Sequence, residues 1–198
     1  MRFVLASNNE GKKSEMLRII RPLIPEMEIV TAREAGFGSV DPEETGVTFA
    51  ENAEIKARAF MELTGMPAIA DDSGLCVDAL GGAPGVHTAR YAGDHDFDFG
   101  IRKLLDELKD VPMEQRGACF VSAICCVWPD GRILTAEGRC DGYIGLERGG
   151  SGGFGFDPVF YMPGDRCFGD IPGDEKDSIS HRGNALRLFA EKLRDFGM

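Results

Sequence analysis

The sequence predicts an α/β fold built on a mixed sheet, and three observations predict it. Amphipathic helical stretches alternate with short apolar runs of strand length along the chain. Residues 118–128 are apolar at both alternating phases, as in a strand buried on both faces. Pro129-Asp130-Gly131 then turns the chain into a returning strand over 133–140, a long hairpin that rules out a purely parallel sheet.

The elements follow in order. Residues 2–6 form a short apolar strand. The turn Ser7-Asn8-Asn9-Glu10-Gly11-Lys12 leads into a helix with Met16, Leu17, Ile20, Leu23 and Ile24 on one face. Asn9 is its expected N-cap, and Pro25 helps to end it. Residues 28–31 form a second strand. Thr48-Phe49-Ala50-Glu51 reads as a capping box for a helix running to about Leu63, with Gly65 as its stop. Residues 67–70 form a short buried strand that delivers Asp71-Asp72-Ser73-Gly74. A helix near 97–110 buries Ile101, Leu104, Leu105 and Leu108 and ends before Pro112. After the hairpin comes the glycine-rich stretch 149–155. A last helix, from near Ser180 to Phe196, carries Ala185, Phe189 and Leu193 on one stripe.

Length and charge narrow the function. The 198 residues suit one domain, or two lobes sharing a sheet, and bury enough surface to fold without staples. With 22 basic and 33 acidic residues the formal charge is −11, which repels a nucleic acid polymer, and no basic tract offsets it. A small phosphorylated substrate remains compatible, because a few lysines, backbone N–H groups and a metal suffice to hold it. The six cysteines include no C-x-x-C pair, so a zinc site is not expected. No apolar run approaches the ~20 residues that span a bilayer, and residues 1–5 carry no signal-peptide pattern. The expectation is a cytoplasmic protein with reduced thiols and no membrane partner.

Five clusters carry candidate chemistry. The 7–12 turn suits an anion through its N–H groups and helix N-terminus, with Lys12 in the first turn, although a plain capped helix reads the same way. It fails the P-loop spacing, since Ala6 stands where the first glycine belongs. Asp71 and Asp72 are costly to bury together unless cations or donors meet them, and alternation lets only one of them face a cleft. Glu43, Glu44 and Glu51 offer a second carboxylate for magnesium, which takes one or two protein carboxylates plus waters and phosphate; Glu51 fits the capping box better. Gly152-Gly153-Phe154-Gly155-Phe156-Asp157-Pro158 lets backbone approach a ligand, with Phe154 and Phe156 as stacking or core rings. Glu175 to Arg182 ends on a Ser180 cap followed by His181 and Arg182, two cations against the helix dipole, compensated by a bound anion or purine acceptor atoms or else simply solvated.

Taken together, these motifs resemble the inosine triphosphate pyrophosphatase family over residues 3 to about 193. The matching segments are Ser7-x-Asn9-x-x-Lys12, Glu44-Thr45-Gly46-x-Thr48-Phe49-x-Glu51-Asn52-Ala53 and Ala70-Asp71-Asp72-Ser73-Gly74-Leu75. Gly81-Gly82-Ala83-Pro84-Gly85 with Ala89-Arg90-Tyr91, then residues 152–158, and Ser180-His181-Arg182-Gly183 complete the order. The resemblance implies an elongated mixed sheet with flanking helices, one domain over 1–198 with two lobes and a cleft between them, and a homodimer. It implies hydrolysis of ITP, dITP and XTP to monophosphate and pyrophosphate with Mg2+. Ser7, Asn8, Asn9, Glu10, Gly11 and Lys12 would hold the triphosphate. Glu44, with Glu43 as the near alternative, and Asp72 would bind the metal, and Asp72 would accept the proton of the attacking water. Ser73 and Lys176 would touch substrate, Phe154, Gly155, Phe156 and Asp157 would line base and sugar, and His181 with Arg182 would read the base. Phe156 stands where Tyr or Trp is also usual, so a hydrogen bond from that position is not expected.

Overall fold

The computed structural model describes every residue except Met1, Asn8, Asn9, Ala92, Asp94, His95, Ser151, Gly197 and Met198, together with all side chains of the described residues except that of Glu10. The strands are β1 (Arg2–Leu5), β2 (Glu28–Thr31), β3 (Ala68–Val77), β4 (Gly117–Val127), β5 (Ile133–Ile144), β6 (Phe160–Met162) and β7 (Arg166–Cys167). They form one sheet in the order β2-β1-β3-β4-β5-β6-β7. The helices are α1 (Glu10–Leu23), α2 (Phe49–Thr64), α3 (Phe97–Glu107), α4 (Gly173–Ile179) and α5 (His181–Asp195). β1 pairs in parallel with β2 and β3, setting Phe3 opposite Ile29 and Leu5 opposite Ile69. β6 pairs antiparallel with β5 and β7. β4 and β5 are neighbours joined by a tight turn in which Trp128 N–H donates to the Arg132 carbonyl, a link too short for a parallel crossover. The mixed sheet expected from the hairpin is therefore present.

The chain divides into two compact units, and the divisions fall inside β3, β4 and β5 and between α4 and α5. The first unit comprises Met1–Asp72, Ser122–Gly138 and His181–Met198. Its core packs α1 on α5 and on the strands, through Phe3, Leu5, Met16, Ile20, Ile69, Ile124, Leu186 and Phe189. α2 has the capping box read from the sequence: Thr48 accepts from Glu51 N–H, and Glu51 reaches back to Thr48 N–H. Gly65 ends it in the left-handed region, at φ 66°. The N-cap expected at Asn9 lies outside the described residues.

The second unit comprises Ser73–Val121 and Arg139–Ser180. Ile101, Leu104 and Leu108 bury one face of α3 against Val77, Phe120, Ile144, Phe156, Phe160 and Phe168. Arg116, 1% exposed, closes the end of that helix. Its guanidinium donates to the carbonyls of Leu108, Val111 and Gly145 at 2.5, 3.0 and 2.8 Å. Those bonds tie the end of α3 and the segment after it to the residue that follows β5. Among the described residues, no helix is long and apolar enough to cross a membrane.

β6 and β7 were not anticipated from the sequence, and two further differences bear on the site. β3 does not stop at Ala70 but runs on to Val77, so Asp71-Asp72-Ser73-Gly74 lies within a strand rather than in a turn after it. Carboxylates are tolerated there because cations meet both of them. Residues 173–179 form α4, a helix that the acidic composition of that stretch concealed.

Candidate active site

In the first unit, Asp71 and Asp72 are consecutive on β3, and alternation along a strand sends them to opposite faces. Asp71 is fully buried. Lys12 Nζ, in the first turn of α1, lies 2.9 Å from its Oδ2, and Arg182 Nη2, from α5, lies 3.3 Å from the same oxygen. Ser122 Oγ donates to Oδ1 at 2.6 Å. Arg182 also pairs with Glu15 of α1, which follows Lys12 by one helical turn. Burial alone would raise the Asp71 carboxyl, but the Arg182 guanidinium and then the Lys12 ammonium hold it well below the usual carboxylate range. Asp71 is therefore a fixed anion that anchors Lys12, and it is unsuited to take up a proton at neutral pH.

Asp72 differs from its neighbour. Burial pushes its carboxyl above the ordinary value, against the opposing pull of Lys56. Lys56 Nζ lies 2.8 Å from Asp72 Oδ1 and 2.8 Å from Glu44 Oε1. The Lys56 ammonium, disfavoured by burial, is held protonated by those two carboxylates, Asp72 first. Asp72 Oδ2 is buried and has no hydrogen-bond partner among the described residues. A buried carboxylate oxygen in that state is an acceptor awaiting a proton or a cation.

The Glu44 loop is held by the start of α2. Gly46 N–H donates to Asn52 Oδ1 at 2.8 Å, and Val47 N–H donates to Glu51 Oε2 at 2.7 Å. A Cβ at Gly46 would stand 2.7 Å from that Asn52 oxygen, so only glycine permits the approach. Of the three glutamates left open by the sequence, Glu44 is the one paired beside Asp72, and Glu51 serves the capping box.

In the second unit, Asp157 is 2% exposed and takes Lys176 Nζ at 2.5 Å and the Phe154 N–H at 2.7 Å on one oxygen. Gly153, at φ 77°, makes that turn possible, because a Cβ there would meet the Asp157 carboxylate. Lys176 Nζ stands 4.8 Å from the Phe154 ring centre and 4.6 Å from that of Phe168. Phe154 is 46% exposed and has a ring surface to offer. A cavity of about 340 Å³ opens beside it, with Gly155, Arg148 and Asp98 also in its wall.

Two placements depart from expectation, those of Phe156 and Arg182. Phe156 is 1% exposed, its ring edge-on to Tyr91 and Phe97 at 6.1 and 5.9 Å, so it fills the core rather than facing a base. Arg182 is 1% exposed and committed to Glu15 and Asp71. The compensation sought for its charge at a helix start comes from carboxylates within the first unit. His181 is likewise buried, 5% exposed, at the start of α5. Ser7 and Ser73 are half-buried, Gly11 is exposed, and Glu10 opens α1. Asn8 and Asn9 lie outside the described residues.

Lys56, Glu15 and Ser122 had no role in the sequence reading. The first two left a signal. Lys56 falls in the buried stripe Asn52, Ala53, Ala57 and Phe60, and Glu15 stands next to Met16 on the stripe of Ile19 and Ile20. A charge at helical spacing within an apolar stripe requires a buried partner.

The Ham1 family model matches residues 3–192. A similar protein, the dITP/XTP pyrophosphatase of Desulforamulus reducens, is 48% identical over 196 residues, covering 98% of this chain and 96% of its own length. The dITP/XTP pyrophosphatase of Photorhabdus laumondii is 44% identical over 196 residues, covering 97% and 98%. Among solved structures, a HAM1 protein from Coxiella burnetii superimposes with a TM-score of 0.89 at 40% identity, covering 98% of this chain and 99% of that one.

Proposed function

This chain belongs to the Ham1 family, and from that premise we propose that it hydrolyses the non-standard purine nucleoside triphosphates ITP, dITP and XTP to the monophosphate and pyrophosphate. The observation that carries the reading is Asp72: a buried carboxylate with one unpartnered oxygen, raised affinity for a proton, and Glu44 and two lysines close by. The donor set also suits magnesium. Glu44 and Asp72 supply hard oxygens, and two carboxylates are the number that magnesium takes when phosphate oxygens and waters complete its shell. Bound there, the ion would neutralise charge on the phosphate oxygens.

The protein's own groups do the rest. Lys12, held by Asp71, adds a fixed positive charge to the phosphate-binding turn at residues 7–12. Asp72 orients a water and takes its proton as the oxygen attacks the α-phosphorus. The bond from that phosphorus to the bridging oxygen breaks, and pyrophosphate leaves with the electron pair. Catalysis is then chiefly positioning and electrostatics. Phe154 offers a ring for stacking, with Asp157 and Lys176 setting its position, and Lys176 supplies a donor for a purine 6-carbonyl. Hypoxanthine and xanthine present that acceptor, whereas adenine presents an amino group and would leave buried donors unpaired, an asymmetry that reaches ~10⁴ in comparable sites. Arg182, committed to carboxylates, is assigned to holding Asp71. The absence of disulfides among the described residues suits a cytoplasmic enzyme, and the reading includes a homodimer, which sedimentation measures.

The test is pyrophosphate release from ITP, dITP, XTP, GTP and ATP, with and without magnesium. Fast, magnesium-dependent release from the first three, with GTP and ATP slow, is the expected result. Equal rates for ATP and ITP would refute the 6-carbonyl account, and orthophosphate as product would move the attack to the γ-phosphorus.

A further inference from the structure

Lys56 holds an unusual place for a lysine. It projects from the buried face of α2, its side chain only 13% exposed, and its ammonium touches both Glu44 and Asp72 at 2.8 Å. The arrangement is rigid on two sides. Glu44 belongs to a loop that Asn52 and Glu51 tie to the first turn of α2, so Glu44 and Lys56 ride on the same helix. Asp72 lies on β3, a central strand of the sheet.

A divalent ion at this carboxylate pair approaches its oxygens at about 2.0–2.1 Å. An ammonium hydrogen-bonded to the same two oxygens and a divalent cation cannot both keep those distances without bringing like charges together in a poorly solvated site. We propose that Lys56 is an internal counter-cation that competes with divalent metal for Glu44 and Asp72, so that the pair binds the free ion weakly and accepts it chiefly together with the nucleotide. A metal–nucleotide complex brings its own negative charge, which compensates the crowded cations. The inference rests on the assignment of Glu44 and Asp72 as metal ligands, and it adds that Lys56 sets their affinity.

The test is a metal titration of the full chain without nucleotide, following Mn2+ by electron paramagnetic resonance and Mg2+ by calorimetry, with the metal-induced rise in Tm as a second readout. Lys56→Gln should bind metal at least ~10-fold more tightly than the unmodified protein and show a larger rise in Tm. Lys56→Arg, which keeps the charge, should stay near the unmodified protein. Lys56→Met provides a second neutral variant should the glutamine destabilise the fold. Adding Asp72→Asn to Lys56→Gln should abolish the gain. Equal or weaker binding in both neutral variants would overturn the proposal, as would a gain that survives Asp72→Asn. These titrations contain no nucleotide, so their failure is distinct from a failure of the unmodified protein to release pyrophosphate.

Discussion

Asp71 and Asp72 are neighbours on β3 with opposite electrostatic fates. Asp71 is held ionised by Arg182 and Lys12 and receives the Ser122 hydroxyl. Asp72 is raised by burial, meets Lys56 through one oxygen, and keeps the other without a hydrogen-bond partner among the described residues. Strand alternation separates the two: one carboxylate anchors cations in the interior, and the other is the one proposed for proton transfer and metal binding.

Asp72→Asn keeps the shape and removes both the base and a negative charge. The kcat for ITP should fall by at least ~100-fold, the scale of a general base, while the protein still unfolds cooperatively. Steady-state pyrophosphate release and thermal melting check both halves, and near-normal turnover would remove Asp72 from the mechanism.

Asp71→Asn leaves Arg182 and Lys12 without their shared carboxylate and should cost on the order of 3 kcal/mol at neutral pH. The folded Asp71 carboxyl lies below its unfolded value of about 3.9. Its stabilisation is therefore complete above that value and is lost as pH falls toward the folded one. Urea midpoints at about pH 7, 5 and 3 should show the gap between protein and variant narrowing in acid. A gap that widens would contradict the assignment.

Phe154 is tested through binding. Phe154→Ala removes an exposed ring whose stacking on a base is worth about 1–3 kcal/mol, so KM for ITP should rise by roughly 10-fold or more. Phe154→Tyr should stay near the unmodified protein. An unchanged KM in the alanine variant would place the base elsewhere.

Arg116 separates stability from chemistry. Arg116→Met removes the guanidinium donor from the carbonyls of Leu108, Val111 and Gly145 and should cost on the order of 3 kcal/mol. At a temperature where the variant is folded, kcat and KM for ITP should match those of the unmodified protein. A changed KM would give Arg116 a part in the site.

The Thr48/Glu51 capping box, the Gly65 stop, the apolar faces of α1, α3 and α5 and the hairpin of β4 and β5 were all legible in the sequence. Each depends on residues within a few positions of one another, and local backbone chemistry determines such patterns. The same holds for the motifs that marked Lys12, Asp72 and Phe154 as candidates. Only the tertiary structure decided which partners those residues meet. Glu15 and Arg182 pair across 167 positions and Ser122 reaches Asp71 across 51, separations at which no spacing rule operates. Packing of α1 and α5 against the sheet carries these groups into a poorly solvated interior, where an ion must find an opposite charge or a hydrogen bond. That requirement pairs Arg182 with Glu15 and Asp71, and makes Lys56 the partner of the carboxylates proposed to hold the metal.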